Sequence, residues 1–174
     1  SSHREENISN PKNFKELIDS LNKIAETYDY PVIVSTHPRT RNMLDNIGMK
    51  LQRKIQLLKP LSFSDYNALQ MHSFAVLSDS GTISEESSIL NFRALNIRDA
   101  HERPEAMEES SVMMVGLKKE RILQALELVK HQNIKSRDLP MVKDYSKPNV
   151  STKVERIILS YIDYVNSKVW RKES

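Results

Sequence analysis

The sequence has no cysteine and only three glycines, Gly48, Gly81 and Gly116. The first lack excludes disulfides, thiolate zinc sites and a thiol nucleophile, and suits a reducing compartment such as the cytoplasm. The second excludes the usual nucleotide loops. Average glycine usage would give about twelve in a chain of this length. A G-x-G-x-x-G fingerprint needs three glycines within six positions, and a Walker A loop needs two close together. Neither can be written here, so any phosphate site must rest on one glycine and a helix N-terminus. No apolar run approaches the roughly 18 residues of a membrane span, so no membrane partner is expected. The chain opens at Ser1-Ser2-His3-Arg4 without an initiator Met or a signal-peptide pattern, as a piece of a longer protein would.

What is present is ordinary for one soluble domain. Lys+Arg 26 against Asp+Glu 23 gives a net charge of +3. The basic residues are spread, and the densest cluster holds only Lys50, Arg53 and Lys54, so nucleic acid is not the expected partner. The five histidines show no H-x-x-x-H or other ligand spacing, so no metal or cofactor is expected.

Short apolar runs alternate with helical periodicity. Asn10-Pro11 starts a helix to about Tyr28, with Phe14, Leu17, Ile18 and Leu21 on one face. Strands are expected at 31–36, 55–58, 74–77, 94–97 and 112–115, buried on both faces. Thr40 caps a helix ending at Gly48, Ser64 caps one to Met71, and Thr82 opens another to Leu90. Residues 98–109 read as a charged irregular loop, and Lys118 to about His131 as an amphipathic helix. Thr152-x-x-Glu155 reads as a capping box opening a long final helix, with Tyr161, Tyr164 and Trp170 on it. This alternation predicts an α/β fold with a doubly wound parallel sheet. Ligands of such sheets sit beyond the carboxyl ends of the strands.

Chemistry concentrates there. In Ser78-Asp79-Ser80-Gly81-Thr82-Ile83-Ser84-Glu85-Glu86 a strand ends, a small turn follows and a helix begins. Free N–H groups and the helix dipole favour an anion at such a point, Ser80 and Thr82 add hydroxyls, and Gly81 lets a phosphate approach the backbone. Glu86, one turn on, suits a ribose diol. Simple helix capping explains the same residues. Arg98 to Glu105 can hold phosphate or carboxylate, or be a solvated loop. His3 can transfer a proton or meet an anion.

Together these stretches resemble the carboxyl-terminal half of the non-hydrolysing UDP-N-acetylglucosamine 2-epimerases. The motifs are His3-Arg4-Glu5-Glu6-Asn7, Pro60-Leu61-Ser62-Phe63, the 78–86 stretch and His101-Glu102-Arg103-Pro104-Glu105, in family order over nearly the whole chain. The stretches 35–41 and 80–88 look like the branch that makes UDP-N-acetyl-L-fucosamine for bacterial capsule and O-antigen. The resemblance implies two Rossmann-like domains in the glycosyltransferase-B arrangement, with 1–150 as the UDP-binding domain and 151–174 as a terminal helix crossing to the amino-terminal domain. It implies a UDP-sugar substrate, a homodimer of the full-length protein, and C2 inversion by UDP elimination and re-addition. Ser80, Gly81 and Thr82 would hold the diphosphate, Glu86 the ribose, and the backbone around Phe63 the uracil. His3 and Arg103 would serve the reacting end. The family's acid/base carboxylates lie in the other half. Departures are Thr82 in place of a glycine, Ser84 in place of Gln, and Asn91-Phe92-Arg93 in place of Gly-Lys-Pro. A strand expected before His3 is not in the sequence. The other reading is the donor domain of a glycosyltransferase of similar architecture.

Overall fold

In a computed structural model of the chain, residues 1–172 apart from His3 and His37 are described. Two compact units are present, Ser1–Val142 and Lys143–Ser174.

The first unit is α/β with every strand pairing parallel. Helices α1 (Glu5–Ile8) and α2 (Pro11–Thr27) precede β1 (Val32–Ser35), α3 (Pro38–Ile47) and β2 (Ile55–Leu58). Then follow α4 (Phe63–His72), β3 (Val76–Ser78), α5 (Ile83–Leu90), β4 (Ala94–Asn96), α6 (Pro104–Glu108), β5 (Met113–Met114) and α7 (Lys119–Val129). Helix α2 starts as its sequence dictates. The Asn10 side chain accepts from the backbone N–H groups of Lys12 and Asn13, and proline occupies the first helical position. Its buried face bridges two cores: Leu17 joins Leu95, Ile97, Ile122 and Leu126, while Phe14 and Ile18 pack with Leu44.

The strands do not form the single sheet expected. They form a two-stranded sheet, β1-β2, and a three-stranded sheet in the order β3-β4-β5. The physical reason lies between them. An apolar cavity of about 530 Å³ is lined by Val32 and Val34 of β1, Ala75, Val76 and Leu77 at β3, and Leu17 beneath. Ser1 stands beside the end of β3: its amino group donates to the Leu77 carbonyl at 2.7 Å, and Asp79 N–H donates to the Ser1 carbonyl at 3.2 Å. These two bonds have the pattern of a parallel bridge around Ser78. Only β4 is buried throughout, whereas Ile33 of β1 and Met114 of β5 are exposed, so burial on both faces holds for the centre of the larger sheet alone.

Other boundaries move for local reasons. Ser62, not Ser64, caps α4 by accepting from Asp65 N–H. Thr40 lies inside α3, which begins at Pro38. Helix α6 interrupts the loop expected over 98–109, and β3 begins two residues later than its apolar run. Asn91 ends α5 at φ 58°, a left-handed conformation asparagine tolerates well. Arg93 then ties the turn down, donating to the Phe74 and Gln132 carbonyls.

In the second unit a 3-10 turn (Lys143–Ser146) precedes α8 (Val150–Tyr164) and a π-helical turn (Val165–Val169). Helix α8 starts two residues before Thr152, so no capping box forms, and Asn149 precedes it without a side-chain cap. Its apolar stripe of Val154, Ile157, Ile158 and Tyr161 is exposed.

Two glycines have backbone roles. Gly48 and Gly116 lie at φ +64° and +65°, and a Cβ on Gly116 would meet Asp99 Oδ1 at 2.8 Å while one on Gly48 meets nothing within 4 Å. Gly116→Ala is expected to cost about 2 kcal/mol and Gly48→Ala about 1 kcal/mol, measured as urea unfolding midpoints. Equal costs would contradict this.

Candidate functional site

The carboxyl end of β3 leads through Asp79, Ser80 and Gly81 into α5. Ser80 Oγ lies 2.9 Å from Thr82 Oγ1 and accepts from Thr82 N–H at 3.3 Å. Two hydroxyls thus stand together at the helix N-terminus, where the dipole favours an anion. Thr82 has φ −67° and ψ −13°, ordinary helical values, so nothing at this position requires glycine. Gly81 has no left-handed φ, and a Cβ on it would make an ordinary 3.7 Å contact with Glu102 Oε2. Its glycine is therefore not demanded by the fold.

Glu86 sits one turn into α5, its N–H bonded to the Thr82 carbonyl. Its carboxylate accepts from Gln70 Nε2 at 2.6 Å. Gln70 is 2% exposed on α4, so the carboxylate is held from the side by a buried amide. Phe63, at the start of the same helix, is 81% exposed. Helix α4 therefore carries both the residue expected at the base and the one that orients Glu86.

Segments remote in sequence converge on this turn. Arg4 Nε donates to the Asp79 carbonyl at 3.0 Å, and Arg4 Nη2 bonds Glu102 Oε1 at 3.2 Å. Arg98, buried at the end of β4, reaches the same Glu102 oxygen at 3.0 Å. Hydrogen bonding from Arg98, with the charge of Arg4 beside it, holds the Glu102 carboxyl below its usual range. Arg103 Nε donates to Glu85 Oε1 at 2.7 Å, which places this guanidinium on the first turn of α5. The cations that an anion would meet are thus already oriented by carboxylates.

Of the residues expected at the site, Ser80, Gly81, Thr82, Glu86 and Arg103 gather around the start of α5, and Phe63 begins α4. His3 lies outside the described residues. Gln70 was given no role from sequence, Asp79 was named only within the 78–86 turn, and Arg98, expected to meet phosphate or carboxylate, bonds the Glu102 carboxylate. A polar residue on the apolar-facing side of α4 was the available sign for Gln70, but its partner sixteen residues away was not legible. The cavity between the sheets is a separate feature, since its wall includes neither Ser80, Gly81, Thr82 nor Glu86.

Comparison with known proteins bears on the family and the fold. A family model described as UDP-N-acetylglucosamine 2-epimerase matches residues 1–159. The UDP-N-acetylglucosamine 2-epimerase of Methanocaldococcus jannaschii is 33% identical over 131 residues, covering 73% of this chain and 36% of that protein. The structure of UDP-N-acetylglucosamine 2-epimerase from Rickettsia bellii superposes with a TM-score of 0.84 at 44% identity, covering 99% of this chain and 46% of that one. The Methanocaldococcus jannaschii enzyme in complex with UDP-GlcNAc and UDP gives 0.81 at 28% identity, covering 91% and 44%. The chain spans less than half the length of these relatives. Among the described residues no helix is long and apolar enough to cross a membrane. The chain belongs to the UDP-N-acetylglucosamine 2-epimerase family.

Proposed function

We propose that this chain is the nucleotide-holding half of a cytoplasmic UDP-sugar 2-epimerase of two Rossmann-like domains in the glycosyltransferase-B arrangement. The observation that carries the reading is the meeting of the 3–7, 78–86 and 101–105 segments at one helix N-terminus, through Arg4, Asp79, Glu85, Glu102 and Arg103. Ser80, Gly81 and Thr82 receive the diphosphate. Glu86, braced by Gln70, accepts from the ribose hydroxyls, and the backbone around Phe63 faces the uracil. Arg103 and His3 serve the departing diphosphate.

The reaction eliminates UDP across C1–C2 of the sugar and re-adds it with C2 protonated on the other face. Its two demands are stabilisation of the leaving diphosphate and acid/base groups on both faces of C2. This half meets the first demand; the carboxylates of the other half meet the second. The sugar we assign is UDP-2-acetamido-2,6-dideoxy-L-talose, converted to UDP-N-acetyl-L-fucosamine, on the strength of the 35–41 and 80–88 stretches. The intact protein is then a homodimer acting for bacterial surface polysaccharide.

Incubating the intact protein with that substrate in D2O tests the reaction. Deuterium appears at C2 with inversion, alongside a trace of free UDP. Transfer of the sugar to an acceptor without C2 exchange would instead indicate a glycosyltransferase. Glu86→Gln is expected to weaken UDP about tenfold and 2′,3′-dideoxy-UDP hardly at all, the scale of one charge-assisted hydrogen bond. Equal losses for both ligands would remove Glu86 from the ribose.

The exposed stripe of α8 supports a contact with the other domain, because an apolar helix face of this size calls for cover. Truncation after Val150 is expected to leave UDP affinity within about threefold while abolishing association with the amino-terminal half. Loss of UDP binding on truncation would contradict that role.

A further inference from the structure

Asp79 is 2% exposed and follows β3 directly. A carboxylate so buried must have its charge answered by hydrogen bonds. Its Oδ2 accepts from Ser2 Oγ at 2.8 Å, Arg4 N–H at 3.0 Å and Asn7 Nδ2 at 3.0 Å. Its own backbone adds two more links to the same stretch, N–H to the Ser1 carbonyl and carbonyl from Arg4 Nε. Its side chain thus gathers donors 72 to 77 positions away. Further ties on that stretch are scattered over separate partners: Arg4 to Glu102, Glu6 to Arg98 and, through its carbonyl, to Asn13, and Asn7 Nδ2 to the Ile97 carbonyl at a long 3.4 Å.

We infer that Asp79 is a positioning residue, whose carboxylate fixes Ser2 to Asn7 against the turn formed by Ser80, Gly81 and Thr82. The inference rests on the epimerase reading for its consequence in turnover. In the sequence His3 stands between Ser2 and Arg4, and both of these neighbours donate to the same oxygen. Asp79 also precedes Ser80 in the chain. It therefore couples the diphosphate turn to the histidine segment without being a ligand to either part of the substrate. An amide in its place would accept these donors without the charge and so more weakly, and an apolar side chain would leave the Ser2, Arg4 and Asn7 donors unpaired in a buried place.

The test uses the intact protein carrying Asp79→Asn, and separately Asn7→Asp, which sets two carboxylates against each other. In both, amide hydrogen exchange at residues 2–7 rises at least about tenfold while Leu95 and Ile122 in the core keep their protection. Turnover falls about 100-fold through kcat, the scale of a misplaced group, and UDP affinity stays within about threefold. The double variant D79N/N7D, which restores a donor opposite an acceptor, recovers much of the protection. Uniform loss of protection across the core would reduce Asp79 to a structural residue and overturn the inference. So would unchanged exchange at residues 2–7, or UDP affinity falling in step with kcat. A wild-type protein that never turns over a UDP-sugar would defeat the epimerase reading instead, and the exchange pattern would still judge the clamp.

Discussion

Gly81→Val is expected to weaken UDP binding about 100-fold and to leave the fold standing. The fold should tolerate it because Gly81 has no left-handed φ and its added Cβ meets only the end of the Glu102 side chain, at 3.7 Å. The ligand should not tolerate it. At a helix N-terminus an anion is bound by backbone N–H groups at hydrogen-bond distance, and a branched side chain on that surface keeps the phosphate out. Losing two charge-assisted hydrogen bonds at about 1.5 kcal/mol each gives roughly this factor. Alanine at the same position should fall in between. The opposite pattern is expected at Gly48 and Gly116, where left-handed backbone makes substitution a matter of stability rather than affinity. Calorimetry with UDP and urea unfolding on the same variants separate the two effects. A valine variant at Gly81 that binds UDP normally would remove this turn from the diphosphate site.

The chain is also expected to lose stability on acidification below the usual carboxylate range, and Glu102 is one source. Hydrogen bonding from Arg98, with the charge of Arg4 beside it, holds the Glu102 carboxyl below its ordinary value. As pH falls, the unfolded state therefore takes up this proton first. The contribution is present above the usual carboxylate range and is lost as pH drops through the folded value. Glu102→Gln removes the titrating group, so its urea midpoints should change less on acidification than those of the unaltered chain. Identical pH profiles for the two would contradict this.

How much was legible in sequence depended on range. The start of α2 was readable because Asn10-Pro11 carries its own cap and first-turn geometry. The strand-turn-helix at 78–86 was readable because small polar residues and a single glycine follow an apolar run. Caps with two candidates were not: Ser62 and Ser64 are both good, and the bond to Asp65 N–H decides. Thr152-x-x-Glu155 has the spacing of a capping box, yet the helix begins ahead of it. Alternation of strands and helices gave parallel α/β structure but not its continuity. The split between β1-β2 and β3-β4-β5 turns on what stands between Val34 and Val76, and no residue in either run encodes that. Pairings such as Gln70 with Glu86, or Asp79 with Asn7, depend on how elements meet in space and leave no periodic trace.

The central claim is that one glycine, two hydroxyls and a helix end hold a uridine diphosphate. Isothermal titration of the folded chain with UDP, UMP and inorganic phosphate tests it most directly. The expected result is saturable one-site binding of UDP, at least about tenfold tighter than UMP and much tighter than phosphate, because the second phosphate meets the α5 N-terminus. No heat with millimolar UDP on folded protein, or equal affinity for UDP and UMP, would contradict it.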